Sequence, residues 1–142
     1  MAAAMTAGEV RAFLCTGTRT GKLATTMRDG APHVMPIWFV LDGDEIVFMT
    51  GADTVKGRAL RRDPRASLVV DDEVAPYAFV HVRGSVTISE DLAELRRFGT
   101  LLGARYMGAE LAEDFGRRNA VAGELLIRLA PGRVIAQRAV AD

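Results

Sequence analysis

Positive charge gathers in one stretch of a chain that is otherwise balanced. Between Thr50 and Pro64 (TGADTVKGRALRRDP) stand Lys56, Arg58, Arg61 and Arg62, with Arg65 just beyond, against only Asp53 and Asp63. The whole chain holds 18 basic and 18 acidic residues, and Lys56 is one of two lysines, the other being Lys22. Asp53 or Thr54 is a good N-cap, and Thr54–Arg62 reads as a short helix stopped before Pro64. Cations in a first helical turn oppose the helix dipole unless something negative sits among them. A phosphate resolves the conflict, because free backbone N–H groups, the Thr50 and Thr54 hydroxyls, the Lys56 ammonium and the Arg58 guanidinium can all donate to it. The competing reading is a solvated basic face on a short helix. Arg61 and Arg62 read as surface groups, or as contacts to something larger and acidic.

The apolar run before this stretch, HVMPIWFV, offers the complementary surface. Pro36 cannot donate to a ladder, so the backbone there lies at an edge, a bulge or a gap. Trp38 shares its face. A flat ring could lie on such an interrupted edge, although a barrel strand with a packing tryptophan accounts for the same residues.

No self-sufficient catalytic set accompanies them. The two histidines, His33 and His81, are isolated from each other and from cysteine. Neither HExxH nor CxxC is present, nor a GxSxG elbow, nor a phosphate loop of the GxxxxGK[ST] type. Asp71-Asp72-Glu73 reads as a solvated corner rather than a metal site. If the chain is an enzyme, a cofactor supplies its reactivity.

The elements that must position these residues follow from pattern. A length of 142 residues fits one domain, 1–142, able to bury its own core. Apolar residues at 49% and charged residues at 25% are ordinary globular values. A helix opens at Thr6 or Gly8 and runs to about Thr16 (8–16), carrying Val10, Phe13 and Leu14 on one side, with Cys15 expected to be a small buried group. Strands are expected at Lys22–Met27, Ala31–Leu41 and Glu45–Thr50, joined by turns at Asp29-Gly30 and Asp42-Gly43 as an antiparallel meander. Two further strands follow at Ala66–Val70 and Tyr77–Ser89, the second bent or bulged at Gly84. Helical periodicity takes over from about residue 90 to 122, with a loop around Gly103 and Gly108 dividing two helices. Strands at Glu124–Leu129 and Arg133–Arg138 close the chain around a Pro131-Gly132 turn. Seven short strands with inserted helices predict a mainly β fold, a closed or split β-barrel.

Net neutrality and 6% aromatic residues speak against nucleic acid as a partner. A single cysteine, no signal-like start and no long apolar run point to a cytoplasmic protein without a membrane span.

The ordered set DGAPHVMPIW, IVFMT, TVKGRALRRDPRASLVV, PYAFVHVRGSV, LLGARYMG and LAPGRVIA resembles the pyridoxamine 5'-phosphate oxidase-like flavin and deazaflavin oxidoreductases, and within them the F420-dependent branch. The resemblance runs from about Gly21 to Gln137. It departs from the family's usual residues at Ala59, where asparagine is common, and at His81, where glutamate is. It implies an FMN-binding split β-barrel that forms a homodimer with two cofactor sites at the interface. Thr50, Thr54, Lys56 and Arg58 would hold the cofactor phosphate, with Arg61 near a longer anionic tail. Met35, Pro36, Ile37 and Trp38 would line the ring, and Tyr77 would arrive from the other subunit. The implied cofactor is coenzyme F420, with FMN as the alternative. The implied reaction is hydride transfer between the deazaflavin and a conjugated small-molecule substrate, with His81 or Tyr77 as the expected proton donor. A non-catalytic flavin- or deazaflavin-binding protein is the remaining reading.

Overall fold

The computed structural model describes all of residues 1–142. One eight-stranded antiparallel sheet takes strands from both ends of the chain: β1 (Ala3–Ala4), β2 (Gly21–Thr26), β3 (Pro32–Ile37), β4 (Val40–Asp42), β5 (Glu45–Gly51), β6 (Arg65–Asp72), β7 (Ala78–Ser89) and β8 (Glu124–Arg138). Four helices accompany it: α1 (Ala7–Cys15), α2 (Val55–Arg62), α3 (Leu92–Met107) and α4 (Ala112–Asn119).

The spatial order is β3-β2-β6-β7-β8-β5-β4, with β1 on β8. The two free edges, β3 and β4, are therefore consecutive in sequence. The run expected as one strand over Ala31–Leu41 breaks at Trp38-Phe39 and supplies both edges of a split barrel. For the same reason the expected meander is divided: both of its hairpins form, β2 with β3 and β4 with β5, but they part at this break and β5 takes β8 as its other neighbour. Side chains satisfy the backbone at the break. The Phe39 N–H donates to Tyr106 Oη at 3.2 Å, and Arg105 Nη1 donates to the Phe39 carbonyl at 2.7 Å. Arg105 also donates to the carbonyls of Leu14 and Gly17, which ties the end of α1 to the same seam.

The main core fills the barrel, with Leu23, Phe39, Ile46, Phe48, Leu60, Leu68, Val80, Leu125 and Ile127 fully buried. On the outside, α3 lays Leu95 and Phe98 against Val47 and Leu126. This second layer explains why EIVFMT and ELLIRL lack strict alternation, because both faces of these segments are buried.

Three further expectations are corrected. The segments 124–129 and 133–138 are one strand, since Pro131-Gly132 is not a turn. Gly84 opposes Pro131 and Arg83 opposes Arg133, so Gly132 is the extra residue of a bulge and pairing continues past it. Gly103 lies inside α3, where it lets α4 approach: a Cβ on Gly103 would sit 2.7 Å from Phe115 Cβ. Cys15 is exposed, because Leu14 takes the core-facing position in that turn.

Candidate active site

At the seam the chain leaves a cleft of about 350 Å³, walled by three groups of residues. Pro36, Ile37 and Trp38 come from the end of β3. Met49, Thr50, Gly51, Thr54 and Lys56 come from β5 and the start of α2. Leu102, Phe115, Arg118, Asn119 and Glu124 come from α3, α4 and the first residue of β8.

The polar end is built by the cap of α2. Thr54 is the N-cap, and its Oγ accepts the Gly57 N–H at 3.0 Å and donates to the Gly51 carbonyl at 2.8 Å. Thr50 Oγ lies 2.8 Å from the same hydroxyl. A Cβ on Gly57 would collide with the Gly51 carbonyl, so glycine is what lets the helix start fold back this closely. The N–H groups of Val55 and Lys56 find no acceptor in the chain. Lys56 is half-buried and engages in no hydrogen bond or ion pair, whereas Lys22 is held by Asp71 at 3.0 Å. Free amides and an unbonded ammonium around one space form a donor set whose one anionic neighbour in the cleft is the Glu124 carboxylate, and such a set fits an anion of phosphate type.

The apolar end is aromatic. Trp38 stacks on Tyr106 with centroids 5.0 Å apart, and Phe115 meets it at 5.7 Å, tilted by 51°. Tyr106 Oη donates to the Arg19 carbonyl at 2.9 Å, and burial pushes its pKa above the usual phenol value. This tyrosine therefore stays neutral and serves as a strut behind the tryptophan.

Of the residues picked out in the sequence, the cleft gathers Pro36, Ile37, Trp38, Thr50, Thr54 and Lys56. Arg58 is exposed and does not line it. Arg61 is turned to Glu90 at 3.1 Å, and Arg62 donates to the Thr26 carbonyl at 3.2 Å. Met35 lies on the exposed edge strand. Tyr77 lies at a separate groove with Asp71, Asp72 and Glu73. His81 is on the outer sheet face, its Nε2 2.5 Å from Ser67 Oγ. Within one copy of the chain, neither expected proton donor reaches the cleft. The acidic corner is only partly solvated, since Asp71 and Asp72 pair with Lys22 and Arg19.

Sequence reasoning missed Met49, Gly51, Leu102, Phe115, Arg118, Asn119 and Glu124. The residues from α4 and β8 join the site only because β5 pairs with β8, and no local pattern announces that pairing.

The family model for pyridoxamine 5'-phosphate oxidase matches residues 6–138. The chain belongs to the pyridoxamine 5'-phosphate oxidase family. Among solved structures, the conserved hypothetical protein Rv2991 of Mycobacterium tuberculosis is 28% identical, with a TM-score of 0.84 over 95% of this chain and 86% of that one. An F420 reductase is 30% identical, with a TM-score of 0.71 over 85% of this chain and 92% of that one. The heme storage protein HutZ of Vibrio cholerae has a TM-score of 0.73 over 92% of this chain and 94% of that one, but at 19% identity this likeness shows the fold alone. No significant match was found among the curated proteins. The split barrel expected from sequence is thus the fold of this family, and no helix is long and apolar enough to cross a membrane.

Proposed function

We propose that this family member is a coenzyme F420-dependent oxidoreductase that transfers a hydride between the deazaflavin and a conjugated small-molecule substrate. The observation that carries the reading is the unpartnered Lys56 beside an open helix start, at one end of a cleft whose other end is an aromatic and proline-lined shelf. Lys56, Thr50, Thr54 and the first amides of α2 would hold the cofactor phosphate. Pro36, Ile37 and Trp38 would border its ring. The reduced deazaflavin, when bound, supplies the hydride. The chain's own contribution is placement and exclusion of water by Trp38, Phe115, Leu102 and Met49, which requires no side-chain nucleophile. The 30% identical F420 reductase favours the deazaflavin over FMN.

A homodimer belongs to the same reading. The outer faces of β2, β3, β6 and β7 carry no helix and present Val34, Pro36, Val69 and His81, with Ile135 of β8 beside them. A second copy on this face would be the source of the Tyr77 contact that the family resemblance implies. Titration of the apo protein with F420 and with FMN, read by ligand fluorescence, tests the assignment. Saturable F420 binding stronger than FMN binding is expected, and FMN binding alone would move the assignment to a flavin oxidase or reductase. Tight binding of either without turnover of any acceptor would leave a carrier.

A further inference from the structure

One carboxylate stands inside the cationic cradle. Glu124 opens β8 directly opposite Gly51, and its Oε1 lies 3.7 Å from the point a Gly51 Cβ would occupy. It lines the cleft with Lys56 and Arg118, yet no group in the chain donates a hydrogen bond to its carboxylate. The charged groups that line the cleft with it are Lys56 from α2, whose charge acts on it, and Arg118 from α4, whose guanidinium lies over the Phe115 ring. Asn119, Thr50 and Gly51 are neutral, as are Pro36, Ile37 and Trp38 from β3. Burial raises the pKa of Glu124 above the ordinary carboxylate value, and the Lys56 charge opposes that rise. An acid in a phosphate cradle works against anion binding, unless the ligand has a particular charge.

We propose that Glu124 sets ligand choice by charge, so that the cradle prefers a phosphodiester, with one negative charge, to a phosphomonoester dianion. The proposal rests on reading this end of the cleft as the phosphate end of the cofactor site. A phosphomonoester carries roughly −1.5 to −2 at neutral pH because its second proton leaves near pH 6. The additional charge meets the Glu124 carboxylate in a half-buried setting, where such a repulsion costs on the order of tenfold in affinity. Coenzyme F420 joins its tail through a phosphodiester and escapes this repulsion, whereas FMN ends in a phosphomonoester. Lys56 and Arg118 attract both, so they supply affinity and Glu124 supplies the difference.

The test uses two probes with one ring: FMN and the monomethyl ester of its phosphate. Dissociation constants are measured at neutral pH for the wild-type chain and for Glu124→Gln. The wild type is expected to favour the methyl ester by about tenfold. In Glu124→Gln that preference should shrink to within about threefold, chiefly because FMN binds more tightly. The bulk of the methyl group is the same for both proteins and cancels in the comparison. Equal shifts for both probes, an unchanged preference, or no FMN binding by a folded Glu124→Gln protein would each overturn the proposal. An F420 titration of the same two proteins is read separately. If F420 binds neither while the ester preference collapses as expected, the cofactor assignment falls and the role of Glu124 stands.

Discussion

Trp38 and Tyr106 lie face to face, their planes 6° from parallel and their centroids 5.0 Å apart. The pair joins the broken edge of the sheet to the last turns of α3. Trp38 is where the strand fails, and Tyr106 Oη takes the N–H of the next residue, Phe39. The ring that borders the cleft and the hydroxyl that mends the seam thus belong to one stack. Shelf geometry and barrel closure are consequently coupled.

Tyr106→Phe separates the two roles. The stack survives, but the Phe39 N–H and the Arg19 carbonyl lose a partner in a partly buried place. A loss of about 1–3 kcal/mol of stability is expected, the cost of leaving such groups unsatisfied. Urea unfolding measures it, and a change below about 0.5 kcal/mol would show that water replaces the hydroxyl. Tryptophan fluorescence of the folded variant should stay close to the wild type, since the neighbour of Trp38 remains aromatic.

Lys56→Ala should behave in the opposite way. Lys56 bonds to nothing in the chain, so stability should change by less than about 0.5 kcal/mol. Cofactor affinity should fall by about 1.5–3 kcal/mol, the worth of a hydrogen bond to a charged group. Fluorescence titration with F420 reads it, and an unchanged dissociation constant would remove Lys56 from the phosphate assignment.

What the sequence revealed followed a physical line. Asp29-Gly30, Asp42-Gly43 and the Thr54 cap were legible because turns and caps are written in adjacent residues. The phosphate end was legible for the same reason, since Thr50, Thr54 and Lys56 lie within seven positions. The break at Trp38-Phe39 was not legible, because the groups that satisfy its backbone, Arg105 and Tyr106, are more than sixty residues away. Glu124 was hidden similarly: it enters the site through the pairing of β5 with β8. Proline misled at residue 131, where a bulge, not a turn, absorbs it, and correctly marked an edge at residue 36.

Gly57→Ala reverses a usual sign. In an exposed helix the change from glycine to alanine stabilises by about 1 kcal/mol. Here the added methyl would strike the Gly51 carbonyl and sit 3.1 Å from Thr54 Oγ. Forcing the cap loop outward should cost about 1–3 kcal/mol, in the range of overpacked sites. F420 affinity should fall with it, because the same displacement moves Thr54 and the free amides of α2. A more stable Gly57→Ala protein, by thermal or urea unfolding, would refute the tight cap.

The acid limb of stability should trace to two aspartates outside the cleft. Asp63, the C-cap of α2, accepts from the Arg65 side chain at 2.7 and 3.0 Å and from its backbone N–H at 3.1 Å, which hold its pKa at about 2. Asp42 is held below the usual carboxylate value by the hydrogen bond from Arg128 at 2.7 Å, a bond that ties β4 to β8. Unfolded aspartate titrates near 3.9. Both groups have folded pKa values below the unfolded one, so the stability they contribute is fully present above that value. It is lost as pH falls below about 4, for Asp63 over the range toward its folded value of about 2, because the unfolded chain takes up protons first. Asp63→Asn and Asp42→Asn should each flatten the dependence of the unfolding free energy on pH in that window and leave its slope above pH 5 unchanged. Both substitutions should also lower stability at neutral pH, where these contributions are fully present, and in Asp42→Asn the bond from Arg128, whose guanidinium packs over the Phe98 ring, loses its charge assistance. Unfolding curves collected from pH 2 to 7 check both points, and an Asp63→Asn profile parallel to the wild type throughout would refute the role given to Asp63.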